Sequence, residues 1–241
     1  MRASVQALAA NPSEHRSSDP LLPLSIFRSA AFSAAVAGAT LMTFGMYGLL
    51  FLLPLYLQAI RGDSALRAGI ELLPMSVTFF LVSPLAGRVA TRVGPRVLIG
   101  GGMGLATMGL LLLASPLIQA GYGPIAVALF AVGMGLGFIT GPIATAAMAN
   151  APSARSGLSS GLVNVGRMVG ATLGVAALGL LFGPHVEEAA KDAPTFLVGM
   201  RGAFVMGAAA QVIGALIAVL CFRRHSLESG APCIGDVSAV S

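Results

Sequence analysis

Long apolar runs separated by short polar breaks dominate the pattern of this chain. No charged residue occurs between Arg28 and Arg61, or in a second, longer run between Arg96 and Arg155. Each run exceeds the roughly 20 apolar residues that a helix needs to cross a bilayer. Since the period-two alternation of transmembrane barrel strands is absent from both runs, the pattern predicts an all-α membrane protein.

The apolar runs divide into six predicted transmembrane helices. Their predicted bounds are 32–59, 69–90, 97–117, 124–149, 157–182 and 199–222. The charge-free stretch is long enough for two spans, and its middle, at 114–124, contains prolines and glycines that break helices. We therefore predict an uncharged hairpin at that point.

The composition agrees with a membrane environment. Hydrophobic residues make up 56% of the 241 residues and charged residues 10%, against about 25% charged residues in soluble domains. The bundle is predicted to occupy 28–224. Polar residues predict a flexible cytoplasmic lead-in at 1–27 and a disordered cytoplasmic tail at 225–241.

Glycine is frequent, with 31 residues, and small residues allow helices to approach closely in lipid. Along the fifth predicted span, glycines recur about once per turn and predict a ridge for close helix packing. The glycines of this ridge are Gly157, Gly161, Gly166, Gly170 and Gly174.

The basic residues predict the orientation in the membrane. If the N-terminus is cytoplasmic, nine of the 14 Lys and Arg residues fall on the inner side and four on the outer side. Basic residues concentrate in cytoplasmic loops, so we expect a multi-pass protein of the inner or plasma membrane with both termini in the cytoplasm. The net charge of +5 then reflects this orientation and contact with anionic headgroups of the lipid bilayer. Nucleic-acid binding is not expected, because the sequence lacks a soluble basic surface.

Three of the inner arginines lie in the stretch GRVATRVGPRV, residues 87–97. Arg88, Arg92 and Arg96 have no acid beside them, and a hairpin held at the cytoplasmic face is sufficient reason for their charges. Gly87 and Gly94 are expected to let the backbone turn tightly and the helices pass closely.

This stretch resembles the loop between the second and third helices in each half of major facilitator superfamily transporters, roughly G-x-L-A-D-R-x-G-R-K. Gly87, Arg92 and Gly94 match the motif. Arg96 supplies its late cation, and Thr91 replaces its acid.

Further segments resemble the C-terminal half of the fourteen-helix drug:proton antiporters of EmrB/QacA type. They are PLLPLSIFRSAAF (20–32), LPLYLQ (53–58), RAGIELLPM (67–75) and SGLSSGLVNVGRMVGATLGVA (156–176). The resemblance implies one six-helix bundle of 3+3 inverted repeats, which is half a transporter. It also implies efflux of small apolar or cationic drugs, driven by the proton motive force without a bound cofactor. An N-terminal half of six or eight helices, or a second copy, would complete the site.

One charge lies inside a predicted span. Arg167 lies about ten residues into the fifth span, where a charge costs from about 3 to over 10 kcal/mol and by default marks a function. Asn164 lies on the same helical face. In one interpretation Arg167 faces the central cavity or inner gate and holds an anionic substrate group or an acid of the other bundle. In the other, it reaches the inner headgroups or helix-end carbonyls.

Two further features of the spans allow a functional or a structural interpretation. The first span carries residues that would suit an adaptable apolar pocket, or else contact lipid and other helices: Met42, Phe44, Met46, Tyr47 and Phe51. Glu71, the acid nearest an apolar core, is either a proton carrier or an acid that favours the positive start of a helix after Ser64.

Two other functions stay open on the sequence alone. A membrane protein that stabilises or regulates a partner without transport would share every feature above. An intramembrane enzyme would need a catalytic set, and residues 157–161 match G-x-S-x-G. This motif forms the nucleophile elbow of serine hydrolases, which requires a preceding strand and a histidine partner. The three histidines of this chain lie in the termini or a loop. We expect neither an enzyme nor a metal site.

Overall fold

The computed structural model describes residues 30–149, 156–182 and 193–228, and every regular element in these ranges is helical. A short 3-10 turn at Pro116–Ala120 joins the fourth and fifth helices, at the predicted hairpin. The α-helices are α1 Ala30–Ala59, α2 Ala65–Glu71, α3 Leu73–Val93, α4 Pro95–Ala114, α5 Tyr122–Ala149, α6 Ser156–Phe182 and α7 Ala193–Glu228. The all-α prediction is confirmed for these residues, and the lead-in at 1–27 lies outside them.

Five helical segments of the described residues are long and apolar enough to cross a membrane. They are Phe32–Ala59, Ala65–Ala90, Arg96–Ala114, Tyr122–Thr145 and Pro194–Leu220. The remaining predicted span, α6, has 27 residues, which at about 1.5 Å per residue exceeds the roughly 30 Å of a hydrocarbon core. The crossing of the membrane by α6 stays a prediction.

The second span begins with a break that the sequence analysis did not predict. Ser64 caps α2 by accepting a hydrogen bond from the backbone N–H of Arg67 at 3.3 Å. Helix α2 ends after two turns, because Pro74 opens α3 and cannot donate a backbone hydrogen bond to the preceding turn. The chain therefore enters this span through a short, separate helix.

At the other end of the bundle, α7 runs to Glu228, so residues 225–228 are helical where the sequence predicted the start of a disordered tail. The physical reason is that the first helix-breaking residue after the span is Gly230. Residues 229–241 lie outside the described part of the chain.

The contacts between the six long helices form a symmetric set. Helix α1 packs on α6 and α7, α5 packs on α3 and α4, and α4 packs on α7. The same contacts are obtained when α1, α3 and α4 are replaced by α5, α6 and α7, in that order, and the reverse. The predicted 3+3 inverted repeats, α1, α3 and α4 in the first and α5, α6 and α7 in the second, would give this symmetry.

The α1–α6 contact depends on glycine. A Cβ atom at Gly170 would collide with the carbonyl oxygen of Thr40 and the hydroxyl of Thr43, both on α1. A Cβ at Gly174 would likewise collide with the backbone of Phe44, and one at Gly166 would lie 3.0 Å from the side chains of Thr40 and Val36. The predicted ridge is thus correct for these three glycines and wrong for the other two, since a Cβ at position 157 or 161 would meet nothing within 4 Å.

The GRVATRVGPRV stretch is almost entirely helical. Arg88 and Arg92 lie in the last turns of α3, Arg96 lies in the first turn of α4, and Gly94 alone separates the two helices. Gly94 has φ +88° and ψ 149°, a conformation essentially restricted to glycine. The expectation for Gly87 is wrong, because this residue is helical and a Cβ there would meet nothing within 4 Å.

Candidate functional site

A cavity of about 430 Å³ lies between α1, α3, α5 and α6. The residues that line it come from the middle turns of these helices, so the cavity lies at mid-depth in the bundle. Its lining consists of Met42, Thr43, Met46, Tyr47, Phe79, Leu136, Thr140, Asn164, Arg167, Met168, Ala171 and Thr172.

Five of the residues that the sequence singled out meet in this cavity. They are Met42, Met46 and Tyr47 on α1, and Asn164 and Arg167 on one face of α6. Phe51 does not line the cavity and is 50% exposed, because it lies one turn further along α1, beyond the cavity's edge. The functional roles of these residues stay predictions.

The other lining residues were not predicted. Ala171 lies one turn after Arg167, so helical spacing on α6 could have found it. Phe79 and Leu136 lie on helices for which the sequence suggested no functional residue, and their place in the cavity follows only from tertiary packing.

A hydrogen bond between α1 and α6 fixes the backbone beside the cavity. The hydroxyl of Thr43 lies 2.9 Å from the carbonyl oxygen of Arg167 and also 2.9 Å from that of Ala39 in its own helix. Thr43 is 3% exposed, so this contact is shielded from solvent. Close approach at Gly170, one turn along α6, allows the two backbones to meet. Arg167 therefore projects from a rigid helix pair.

The guanidinium of Arg167 has no counter-ion within the described residues. None of the four ion pairs found there includes Arg167, and its Nε atom is buried without a hydrogen bond. No acidic residue occurs in the cavity lining. Arg167 as a whole is half-buried, so the rest of its guanidinium is open to a ligand or to a partner group.

The remaining polar groups of the cavity differ in whether their hydrogen-bond donors are already used. Thr140 and Thr172 donate their hydroxyl hydrogens to carbonyl oxygens one turn earlier, at 2.8 and 2.9 Å. Within the described residues, neither Asn164 nor Tyr47 makes a side-chain hydrogen bond. The side-chain donors that are free to meet a ligand therefore belong to Arg167, Asn164 and Tyr47.

A separate charged cluster lies at the end of α1, away from the cavity lining. Arg67 pairs with Asp63 at 3.1 Å and with Glu71 at 3.4 Å, and Arg61 lies 3.9 Å from Glu71. The hydroxyl of Tyr122 on α5 donates to the backbone carbonyl of Glu71 at 2.8 Å. Glu71 is thus the last residue of α2 rather than an acid at a helix start, which corrects the dipole interpretation. It holds the helix ends together through two arginines.

The sequence profile described as Major Facilitator Superfamily matches residues 3–175. This chain belongs to the major facilitator superfamily. In such transporters, substrate sites lie near the bilayer midplane at the interface between repeats. The cavity of this superfamily member lies between its two predicted repeats, because α1 and α3 belong to the first and α5 and α6 to the second.

Curated members of the superfamily resemble the chain over most of its length. It is similar to the multidrug resistance protein Stp of Mycobacterium tuberculosis, with 34% identity over 193 residues, 74% of this chain and 35% of that protein. It is also similar to the tetracenomycin C resistance and export protein of Streptomyces glaucescens, with 34% identity over 186 residues, 74% of this chain and 33% of that protein. The matched part spans about a third of the length of these relatives.

A solved structure shows the same fold. The bundle resembles a bacterial homologue of the human lysosomal transporter Spinster, crystallised in an inward-facing and unoccupied conformation. The TM-score is 0.63 at 20% identity, over 96% of this chain and 58% of that one. The major facilitator fold of the described helices is therefore established independently of the sequence motifs.

Proposed function

We propose that this chain is the C-terminal bundle of a proton-coupled efflux transporter of the fourteen-helix drug:proton antiporter type. It works in the cell membrane with both termini in the cytoplasm, and exports small, largely apolar molecules. An N-terminal bundle of six or eight helices, or a second copy of the chain, completes the substrate site. Transport proceeds by rocking of the two bundles about the cavity.

The observation that carries this proposal is the mid-depth cavity with its unpaired arginine. Its volume of about 430 Å³ falls in the range of about 300–1,000 Å³ that is typical of small-molecule sites. Flexible, polarisable methionines supply much of the apolar wall and can adapt to different ligands. The two relatives are a multidrug resistance protein and a tetracenomycin C resistance and export protein, which favours efflux over uptake.

Proton coupling in this proposal depends on the second bundle. The cavity lining supplies no acid, and Glu71 is held between two arginines outside the cavity. The carboxylate that takes up and releases the proton is therefore assigned to the partner bundle, and this chain supplies the wall that faces it.

The test is dye export from an efflux-deficient bacterial host. The chain is expressed alone and together with a matching N-terminal bundle, and loss of the neutral dye N-phenyl-1-naphthylamine from energised cells is followed. We expect export when both bundles are present, and we expect an uncoupler to abolish it. Export from the chain alone would mean that a second copy completes the site. An empty vector and the N-terminal bundle alone serve as controls.

Two results would contradict the proposal. Export that persists with the uncoupler would exclude proton coupling. No export from any combination, together with a raised membrane abundance of the partner, would instead favour a chain that stabilises or regulates a partner without transport.

A further inference from the structure

The charge of the cavity restricts what the cavity can bind. Arg167 is its only ionised side chain among the described lining residues, and no acid there offsets it. A cationic ligand would meet a like charge, and the repulsion is stronger there than in bulk water because the surrounding helices have a low dielectric constant. The expectation of a cationic substrate therefore conflicts with the cavity.

The free hydrogen-bond donors of the cavity also disfavour a cationic ligand. The guanidinium of Arg167, the amide of Asn164 and the hydroxyl of Tyr47 are available to donate, whereas the hydroxyl hydrogens of two threonines are already used by backbone carbonyls. A ligand group that accepts several hydrogen bonds at once satisfies these donors. Carboxylate and sulfonate groups do so, and a guanidinium binds them through two parallel hydrogen bonds.

The rest of the cavity wall is apolar. Met42, Met46 and Met168 lie around the donors together with Phe79 and Leu136. An apolar or aromatic body fits this wall, because methionine sulfur and aromatic rings attract each other and the unbranched side chain adapts its shape.

We infer that the ligand of this cavity is an amphipathic anion, an aromatic or apolar body with one carboxylate or sulfonate group that binds the guanidinium of Arg167. The inference rests on the proposed function, since it specifies the substrate class of the same site. It replaces the cationic class that the sequence resemblance implied.

The experiment compares two probes that share one aromatic frame. The anion 8-anilino-1-naphthalenesulfonate and the neutral N-phenyl-1-naphthylamine differ by the sulfonate group alone. The full-length chain is purified into nanodiscs of zwitterionic lipid. Saturable binding of each probe is measured by fluorescence, and the signal of empty nanodiscs is subtracted. We expect the dissociation constant of the anion to be at least about tenfold lower than that of the neutral probe, which corresponds to about 1.4 kcal/mol.

Three variants locate the preference. Arg167→Gln should weaken anion binding about tenfold and change neutral binding by less than about twofold. Arg167→Lys should keep part of the preference, because it keeps the charge but loses the planar fork. Arg201→Gln is the matched control, since Arg201 also lies within a helix and has a buried, unpaired Nε but does not line the cavity. It should retain the full preference.

Several outcomes would overturn the inference. They are equal affinity of the wild-type chain for both probes, a preference that survives Arg167→Gln, and equal loss of both probes in that variant. The wild-type comparison does not depend on any variant's folding. If adding the N-terminal bundle abolishes the anion preference, a carboxylate of that bundle is the partner of Arg167, and the inference is again wrong.

These results are separable from a failure of the proposed function. The titration requires no transport, so a chain that prefers the anion but exports no dye retains the inference and contradicts the proposal. A complex that exports the neutral dye but binds both probes equally supports the proposed function and contradicts the inference.

Discussion

Gly94 shows how a single residue determines the junction between two helices. It ends α3 and begins α4, with its N–H donating to the carbonyl oxygen of Ala90 at 3.0 Å. Its positive φ is accessible to glycine and strained for any other residue. Gly87, although part of the same motif, lies in an ordinary helical turn with free space around it.

These two glycines give a matched pair of variants. We expect Gly94→Ala to lower the stability of the bundle by about 1–3 kcal/mol, because alanine must adopt a conformation that is strained by that amount. Gly87→Ala should leave stability unchanged or raise it by up to about 1 kcal/mol, since alanine is the better helix former. Thermal unfolding of the purified chain in detergent measures the difference. Equal apparent Tm values would contradict the assigned role of Gly94.

The sequence predicted the polar residues of the cavity better than its apolar ones. Arg167 and Asn164 were identified because a charge inside a span is costly and therefore informative. Large apolar side chains carry no comparable signal in a membrane protein, because lipid, helix contact and ligand all accept them. Phe51 was accordingly assigned to the site and lies outside it, whereas Phe79 was missed.

At the scale of helices, the α1–α6 contact positions Arg167. Gly170 brings the α6 backbone against Thr40 and Thr43, and the hydroxyl of Thr43 then reaches the carbonyl oxygen of Arg167. The glycine spacing in the sequence indicated that α6 would pack closely against a neighbour. The spacing did not indicate which helix the neighbour is, or that the first two glycines of α6 make no close contact. Both depend on contacts between residues that are distant in the chain.

A pair of alanine variants tests this contact. Gly170→Ala should destabilise the bundle by about 1–3 kcal/mol, the usual cost of inserting an extra methyl group into a packed interface. Gly161→Ala, on the same helix but with nothing within 4 Å of its added Cβ, should be neutral. Apparent Tm and the yield of monodisperse protein from detergent are the readouts. If Gly161→Ala lowers the yield as much as Gly170→Ala does, the loss is not caused by disruption of the α1–α6 contact.

At the scale of the whole molecule, most of the fold could be predicted from hydropathy and charge. Apolar runs of spanning length and an uneven distribution of arginines are local properties, and five of the predicted spans are helices that are long and apolar enough to cross a membrane. The break before Pro74 and the continuation of α7 to Glu228 were not predicted, because hydropathy does not register a helix end inside an apolar or polar stretch. The cavity itself needs four helices in register, which no local pattern specifies.

Orientation in the membrane can be measured with two exposed positions. Cys221 and Cys233 are first replaced by serine, and single cysteines are introduced as Gln119→Cys, in the turn between α4 and α5, or Arg92→Cys, at the end of α3. We expect an impermeant maleimide to label the first in intact cells and the second only after permeabilisation, because basic residues mark the cytoplasmic side. The reverse result would invert the proposed topology.

The central claim is that the Arg167 cavity is a water-accessible ligand site and not an indentation filled by lipid. The comparison needs a second apolar groove, and one of about 460 Å³ lies between α4 and α5, where Met108 is 67% exposed. Ala171→Cys places a thiol in the cavity, and Met108→Cys places one in this groove. Both are introduced into the chain without native cysteines.

The most direct measurement is the rate of alkylation of these two thiols by a charged maleimide, in permeabilised membranes that contain both bundles. Thiols react as thiolates, which form in water and not in hydrocarbon. We predict that Ala171→Cys reacts, that 8-anilino-1-naphthalenesulfonate slows this reaction, and that Met108→Cys does not react. Equal rates at the two positions, or no reaction at Ala171→Cys, would contradict the assignment of the cavity as the substrate site.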